Sequence, residues 1–185
     1  ISVTVINSKT KNITLSCKPE PYMTLDLAIP KKQNITLDDC FDEYCSFELL
    51  EKENAWFNDK TKQKEDVKKG IQFWNLPKIL IVTLKRFDDI TKKKKNLVTV
   101  QDMNNIDLSK HVVGYNKNLY KYELIATCNH SGGQMGGHYT ANIKKEDGKW
   151  YNYNDTNVDI IPERKVVTSE AYCLFLKKKT YVIYK

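Results

Sequence analysis

The stretch Leu76-Pro77-Lys78-Ile79-Leu80-Ile81-Val82-Thr83-Leu84 is almost unbroken apolar and β-branched sequence, entered through a proline. β-Branched residues fit a pleated backbone, and proline is tolerated at a strand's first position because its missing N–H costs no ladder bond there. Without alternation, the run predicts a core strand buried on both faces. Upstream of it, residues 1–6 and 13–17 are short β-branched runs parted by a polar turn. Tyr22, Leu25, Leu27 and Ile29 then mark a further strand that Pro30 stops. Thr36 followed by Asp38 and Asp39 resembles a helix N-terminus, and Leu37, Cys40, Phe41 and Tyr44 recur at helical spacing. These features predict a short helix over about 37–47. Residues 54–69 are polar and lysine-rich and read as a loop or exposed hairpin. Downstream, after a loop over 88–98, runs at 120–128, 138–143, 150–154 and 171–175 are separated by turns such as Glu146-Asp147-Gly148. That series predicts an antiparallel sheet.

At 185 residues the chain makes one sizeable domain or two small ones, and 41% hydrophobic with 29% charged residues excludes a disordered or collagenous chain. No apolar run approaches the roughly 18 residues of a membrane span, and no secretory signal opens the chain, so a soluble intracellular protein, in cytoplasm or nucleus, is expected. Starting at Ile1 rather than Met, the chain is expected to begin inside a longer protein. Its net charge of +7 raises nucleic-acid binding. That function needs aromatics interleaved with the lysines, and the run at 92–95 has only Phe87 nearby, so both it and the run at 177–179 read as solvated loops and strand ends. Five cysteines, Cys17, Cys40, Cys45, Cys128 and Cys173, include no CxxC pair. They argue against a disulfide framework and a four-cysteine zinc site alike, and for reduced thiols. The N-x-[ST] triplets at Asn12, Asn34, Asn129 and Asn154 read as chance occurrences in an Asn-rich chain.

Four of the seven glycines, Gly132, Gly133, Gly136 and Gly137, lie just before His138. Glycines permit close backbone approach, which suits a channel for an extended peptide and equally suits a hairpin tip. His138 opens a strand, where an imidazole is held rigidly toward a cleft; His111 and His130 lack such a setting. Trp150-Tyr151-Asn152-Tyr153-Asn154-Asp155-Thr156 follows, and a hairpin there brings Asn154 beside His138. A general base needs a third group to fix its tautomer, and Asn154 is expected to accept the Nδ1–H bond. No cysteine opens a long helix, where a thiolate would be favoured, and Cys173 reads as core filling.

Several segments, taken in order, resemble the motifs of the ubiquitin-specific proteases. These are residues 75–87 (Asn75 to Phe87), Tyr122-Glu123-Leu124 with His130-Ser131-Gly132-Gly133, Gly137-His138-Tyr139-Thr140-Ala141, residues 150–155 and Ala171-Tyr172-Cys173-Leu174-Phe175. The resemblance runs from about Pro21 to Lys178. It implies an α+β, papain-like cysteine protease fold of fingers, palm and thumb, of which this chain resembles the mostly antiparallel fingers-and-palm half, with about 1–75 as fingers and about 76–185 as palm. It implies His138 as general base, Asn154 as the group orienting it and Asp155 as an acidic neighbour. It also implies a ubiquitin-tail channel along Gly132, Gly133, Gly136, Gly137 and Tyr139. The family's Gly-Asn-Thr-Cys-Tyr nucleophile box is absent. So are the fingers' CxxC pairs, at residues 9–12 and 56–61, so no zinc and no other cofactor is expected. The implied activity is thiol-dependent hydrolysis after ubiquitin's C-terminal glycine, with ubiquitin conjugates and the missing thumb as partners and with neither nucleic acid nor membrane. This chain alone is expected to be inactive. The alternative is a catalytically inactive ubiquitin-binding module.

Overall fold

Alternation, not uniform burial, governs the strand that the apolar run forms. In β9 (Ile79–Lys85) the side chains of Leu80, Val82 and Leu84 are buried, while Ile79 is 44% exposed and Ile81 and Thr83 are half-buried. The expectation of burial on both faces is corrected: among the described residues a packed layer covers only one side of the sheet to which β9 belongs. The computed structural model describes residues 1–7, 14–89, 92–116 and 119–180. Asn12 and the 9–12 stretch, where one CxxC pair is expected in the fingers, therefore lie outside the described residues.

The first strands, β1 (Ser2–Asn7), β2 (Thr14–Pro19), β3 (Thr24–Ala28) and β4 (Ile35–Thr36), lead into one helix, α1 (Leu37–Tyr44). After it come β5 (Phe47–Leu50), β6 (Trp56–Asn58), β7 (Gln63–Glu65) and β8 (Val67–Gln72). Beyond β9 follow β10 (Phe87–Asp89), β11 (Lys92–Lys93), β12 (Val98–Thr99), β13 (Ile106–Asp107), β14 (Lys121–Gly133), β15 (Gly136–Lys144), β16 (Trp150–Asn154), β17 (Asn157–Ile161) and β18 (Ala171–Lys178). A four-stranded sheet runs β2-β1-β8-β5, and the polar segment after residue 54 supplies the antiparallel β6–β7 hairpin. The large sheet runs β17-β16-β15-β14-β18-β9-β3, with β13 beside β14, and is antiparallel except for the parallel β3–β9 edge. β3 and α1, early in the chain, thus belong to the large sheet and its core.

The helix starts where the sequence signals it. Asp39 N–H donates to Thr36 Oγ1 at 3.1 Å and Thr36 N–H donates to Asp39 Oδ2 at 2.8 Å, a reciprocal cap that satisfies two otherwise orphaned donors. It stops at Tyr44, short of the expected 47, because Phe47 is recruited as a strand residue opposite Gly70. Leu37, Cys40 and Phe41 point into a core with Leu25, Leu27, Phe73, Leu80, Val82, Leu84, Leu108, Leu124, Leu174 and Leu176. Each large side chain so buried contributes on the order of 1.5–3 kcal/mol. The opposite face leaves Ile79, Tyr139, Ile143, Val158 and Ile160 exposed.

Candidate active site

His138 and Asn154 meet through strand pairing. β14, β15 and β16 are successive antiparallel neighbours, so residues 131, 138 and 154 fall at one end of the sheet on one face. There His138 Nε2 lies 2.6 Å from Asn154 Oδ1, so the tautomer carrying its hydrogen on Nε2 donates this bond. The nitrogen differs from the expected Nδ1, and the difference leaves Nδ1 as the ring atom free to face a reacting group. His138 is exposed and Asn154 half-buried. Asp155 is exposed at φ 51° in the two-residue β16–β17 loop, a left-handed position that Asp tolerates better than most residues.

A cleft of about 330 Å³ opens beside His138, lined by polar groups that include Asn129, Ser131, Thr140, Asn142, Asn152 and Glu170. None of the five cysteines lines it. Burial pushes the Cys40 thiol up to about 11, Cys45 to about 12 and Cys173 to about 11, and raises Cys128 as well, so these four are held as inert thiols. Cys17 sits on β2 of the other sheet. A larger cleft, about 500 Å³ between α1 and residues 99–110, holds no member of this constellation.

The glycines form the end of the β14–β15 ladder rather than an open loop. Gly132 pairs with Gly137 and Gly133 with Gly136, leaving only Gln134 and Met135 at the tip. Gly132 takes φ +110°, and a Cβ on Gly137 would come within 2.2 Å of His130 Nε2 and 2.3 Å of Ser131 O. Those two glycines are required by their own neighbours. Gly133 and Gly136 face open space. Tyr139, 57% exposed, lies over the buried His130 ring at 4.6 Å, with Phe87 and Tyr172 rings 6.0 and 6.2 Å from that imidazole. Tyr172 is the extra residue of a bulge between Cys128 and Asn129, which turns it toward His130.

Sequence reasoning passed over this aromatic group by setting His130 aside. A register count across the two-residue tip finds it, because that count places His130 opposite Tyr139. The lysine run also needs correction. Lys93 is not solvated: its side chain is 4% exposed, its ammonium pairs with Glu170 at 2.6 Å and it donates to the His130 carbonyl. Arg86, fully buried, donates from Nε to Ala171 O at 2.6 Å and from Nη1 to the Lys94 and Asn96 carbonyls, tying β9, β18 and the lysine segment together behind the cleft.

At residues 56–61, the place expected for a second CxxC pair, Asn58 Nδ2 and Thr61 Oγ1 both donate to Glu65 Oε1, at 2.9 and 2.6 Å. Elsewhere Asp38, Asp42 and His111 converge, but the Lys110 ammonium donates to both carboxylates and fills the space between them. No helix among the described residues is long and apolar enough to cross a membrane.

Residues 6–176 match the family described as ubiquitin carboxyl-terminal hydrolase. This chain belongs to that family. It is 36% identical over 163 residues to ubiquitin carboxyl-terminal hydrolase 15 of Homo sapiens, covering 86% of this chain and 17% of that protein. It is also 36% identical over 168 residues to ubiquitin carboxyl-terminal hydrolase 10 of Arabidopsis thaliana, covering 89% of this chain and 18% of that one. The chain thus spans less than a fifth of the length of these curated relatives. Among solved structures, the SAGA DUB module of Ubp8, Sgf11, Sus1 and Sgf73 bound to monoubiquitin superposes with a TM-score of 0.82 at 24% identity, covering 97% of this chain and 40% of that one. The likeness establishes the fold: among the described residues, the mixed sheets and the one α-helix match the family's fingers-and-palm fold.

Proposed function

We propose that this chain is the histidine-bearing portion of a deubiquitinating cysteine protease that cleaves after the C-terminal glycine of ubiquitin. The observation carrying the proposal is the 2.6 Å contact between His138 Nε2 and Asn154 Oδ1 at the mouth of a polar cleft. With Nε2–H engaged, Nδ1 is the basic atom. It accepts the proton of a cysteine thiol supplied by a segment outside this sequence, the thumb of the same protein. The thiolate attacks the carbonyl carbon, and Nδ1–H gives its proton to the departing amine. Water, deprotonated by the same nitrogen, then releases the acyl-enzyme. Asn154 keeps the ring in this tautomer, and Asp155 adds negative charge close by. Residues 132–137 and Tyr139 border the path of ubiquitin's extended tail, where the exposed Tyr139 ring over His130 offers an apolar wall. Five free thiols support an intracellular setting, and the absence of a cysteine at the cleft supports inactivity of this chain by itself.

The test is turnover of a ubiquitin C-terminal amide reporter by the polypeptide that includes the upstream segment. His138→Ala should nearly eliminate turnover while ubiquitin affinity stays within a few fold. Simultaneous loss of binding would make His138 a structural residue and overturn the assignment. The second reading, a non-enzymatic ubiquitin-binding module, is favoured only by the missing thiol. It predicts ubiquitin binding without turnover in the parental protein.

A further inference from the structure

The backbone ladder between β15 and β16 stops before it reaches the His138–Asn154 pair. Its register runs Lys144↔Trp150, Ile143↔Tyr151, Asn142↔Asn152 and Ala141↔Tyr153, and ends there. Extended by one step, it would set Thr140 opposite Asn154, so His138 meets Asn154 on a diagonal, where Cα atoms normally stand roughly 7–8 Å apart. No β15–β16 ladder pair fixes that spacing. The nearest β15–β16 side-chain bridge on the same face is a pair of asparagines. Asn152 Nδ2 donates to Asn142 Oδ1 at 2.7 Å, and Asn142 Nδ2 donates to the Val166 carbonyl at 2.8 Å. Asn142 is 2% exposed.

This chain of amides has one direction only. Turning the Asn142 amide over would set its oxygen against the Val166 carbonyl and its nitrogen against the Asn152 nitrogen, two repulsive contacts in place of two hydrogen bonds. The Val166 carbonyl also accepts from Thr127 Oγ1, so the bridge is anchored to β14 and to the segment that carries Lys165, Thr168 and Glu170 along the cleft wall. We infer that Asn142 and Asn152 are positioning residues that set the β15–β16 separation at the end of the ladder and thereby hold Asn154 in reach of His138 Nε2. The inference rests on the reading of His138 as base and Asn154 as its orienting group. It assigns to residues two and four positions away a share in that work. Neither asparagine touches substrate in this scheme; both act through Asn154. An error of about 1 Å in such an arrangement lowers turnover by roughly a hundredfold.

The discriminating variant replaces both amides at once, because Asn142→Leu with Asn152→Leu keeps the branching at Cγ and the number of heavy atoms and leaves no buried orphan: Val166 O retains Thr127. The whole polypeptide, including the upstream segment, is labelled with 15N-histidine for NMR of the His138 ring and is assayed with the ubiquitin amide reporter. The double variant should keep the wild-type unfolding midpoint and a KM within about twofold. Its kcat should fall roughly tenfold to a hundredfold, and the His138 ring should change from one Nε2–H tautomer to a mixture. Each single variant should be less stable than the double. An unchanged tautomer with unchanged kcat overturns the inference, as does a kcat that falls only in step with the folded fraction. A wild-type protein without turnover, whose His138 nonetheless loses its single tautomer in the double variant, upholds the positioning role and refutes the hydrolase reading instead.

Discussion

Alanine at Gly137 should injure the fold before it injures any channel. The added Cβ falls 2.2 Å from His130 Nε2 and 2.3 Å from Ser131 O, where real Cβ contacts lie beyond 3 Å. Ser131 O is backbone in the paired strand, and the His130 ring is confined among Phe87, Tyr139 and Tyr172, so neither neighbour yields by a simple rotamer change. Overpacking of this kind typically costs about 1–3 kcal/mol. For a chain of this size that is a drop of roughly 2–12 °C in unfolding midpoint, at about 2–4 °C per kcal/mol. Gly136→Ala, one residue away and facing open space, is the internal control. It should leave the midpoint within about 1 °C of wild type, since an uncrowded surface substitution is worth under about 0.5 kcal/mol. If the glycine hairpin borders the tail of ubiquitin, Gly136→Ala is then the variant that lowers ubiquitin affinity without touching stability. The assay is thermal unfolding followed by far-ultraviolet circular dichroism, with ubiquitin affinity measured beside it. Equal midpoints for Gly137→Ala and Gly136→Ala would refute the reasoning, because they would mean that the hairpin end opens freely.

Hydrogen bonds from Lys32 and Thr36 hold the Asp39 carboxyl down at about 2, below its ordinary 3.8. A depressed carboxyl adds stability that is complete above about pH 4 and is lost as pH falls through about 2; Asp39→Asn should flatten the acid limb of the stability curve over that window, read by urea denaturation at successive pH values. Glu65→Ala should leave the buried Asn58 amide unsatisfied, at a local cost of roughly 1–3 kcal/mol, seen as faster amide exchange across residues 56–65. Chelators should leave that exchange unchanged in the wild type, and zinc-dependent protection would refute the hydrogen-bonded clasp.

What the sequence made legible was local. The α1 start follows from Thr36, Asp38 and Asp39, whose caps and charges act within one turn, and β9 follows from a β-branched apolar run entered through Pro77. The placement of Asn154 beside His138 needed only a hairpin count. The failures have a common cause in long-range pairing. Lys93 sits in a lysine run that reads as solvated, and only Glu170 and the His130 carbonyl, far along the chain, make it an interior cation. β9 reads as doubly buried because composition cannot say that one of its faces lacks a covering layer. The strands beside His138 extend through the glycines to residues 133 and 136, since at Gly132 and Gly137 the two backbones approach more closely than a Cβ allows.

The connectivity of the large sheet bears on how such a chain emerges from a ribosome. β9 is complete by Lys85, yet its antiparallel neighbour β18 begins only at Ala171. Throughout the synthesis of the intervening residues, the most apolar strand of the protein has one hydrogen-bonding edge paired to β3 and the other open, the sort of nascent edge that invites aggregation or a chaperone. Closure waits for β18, whose arrival joins β9 to β14 and locks the Arg86 guanidinium onto the Ala171 carbonyl in the same step. Loss of β18 would thus cost more than that strand's own contacts, for it would split the sheet between β14 and β9.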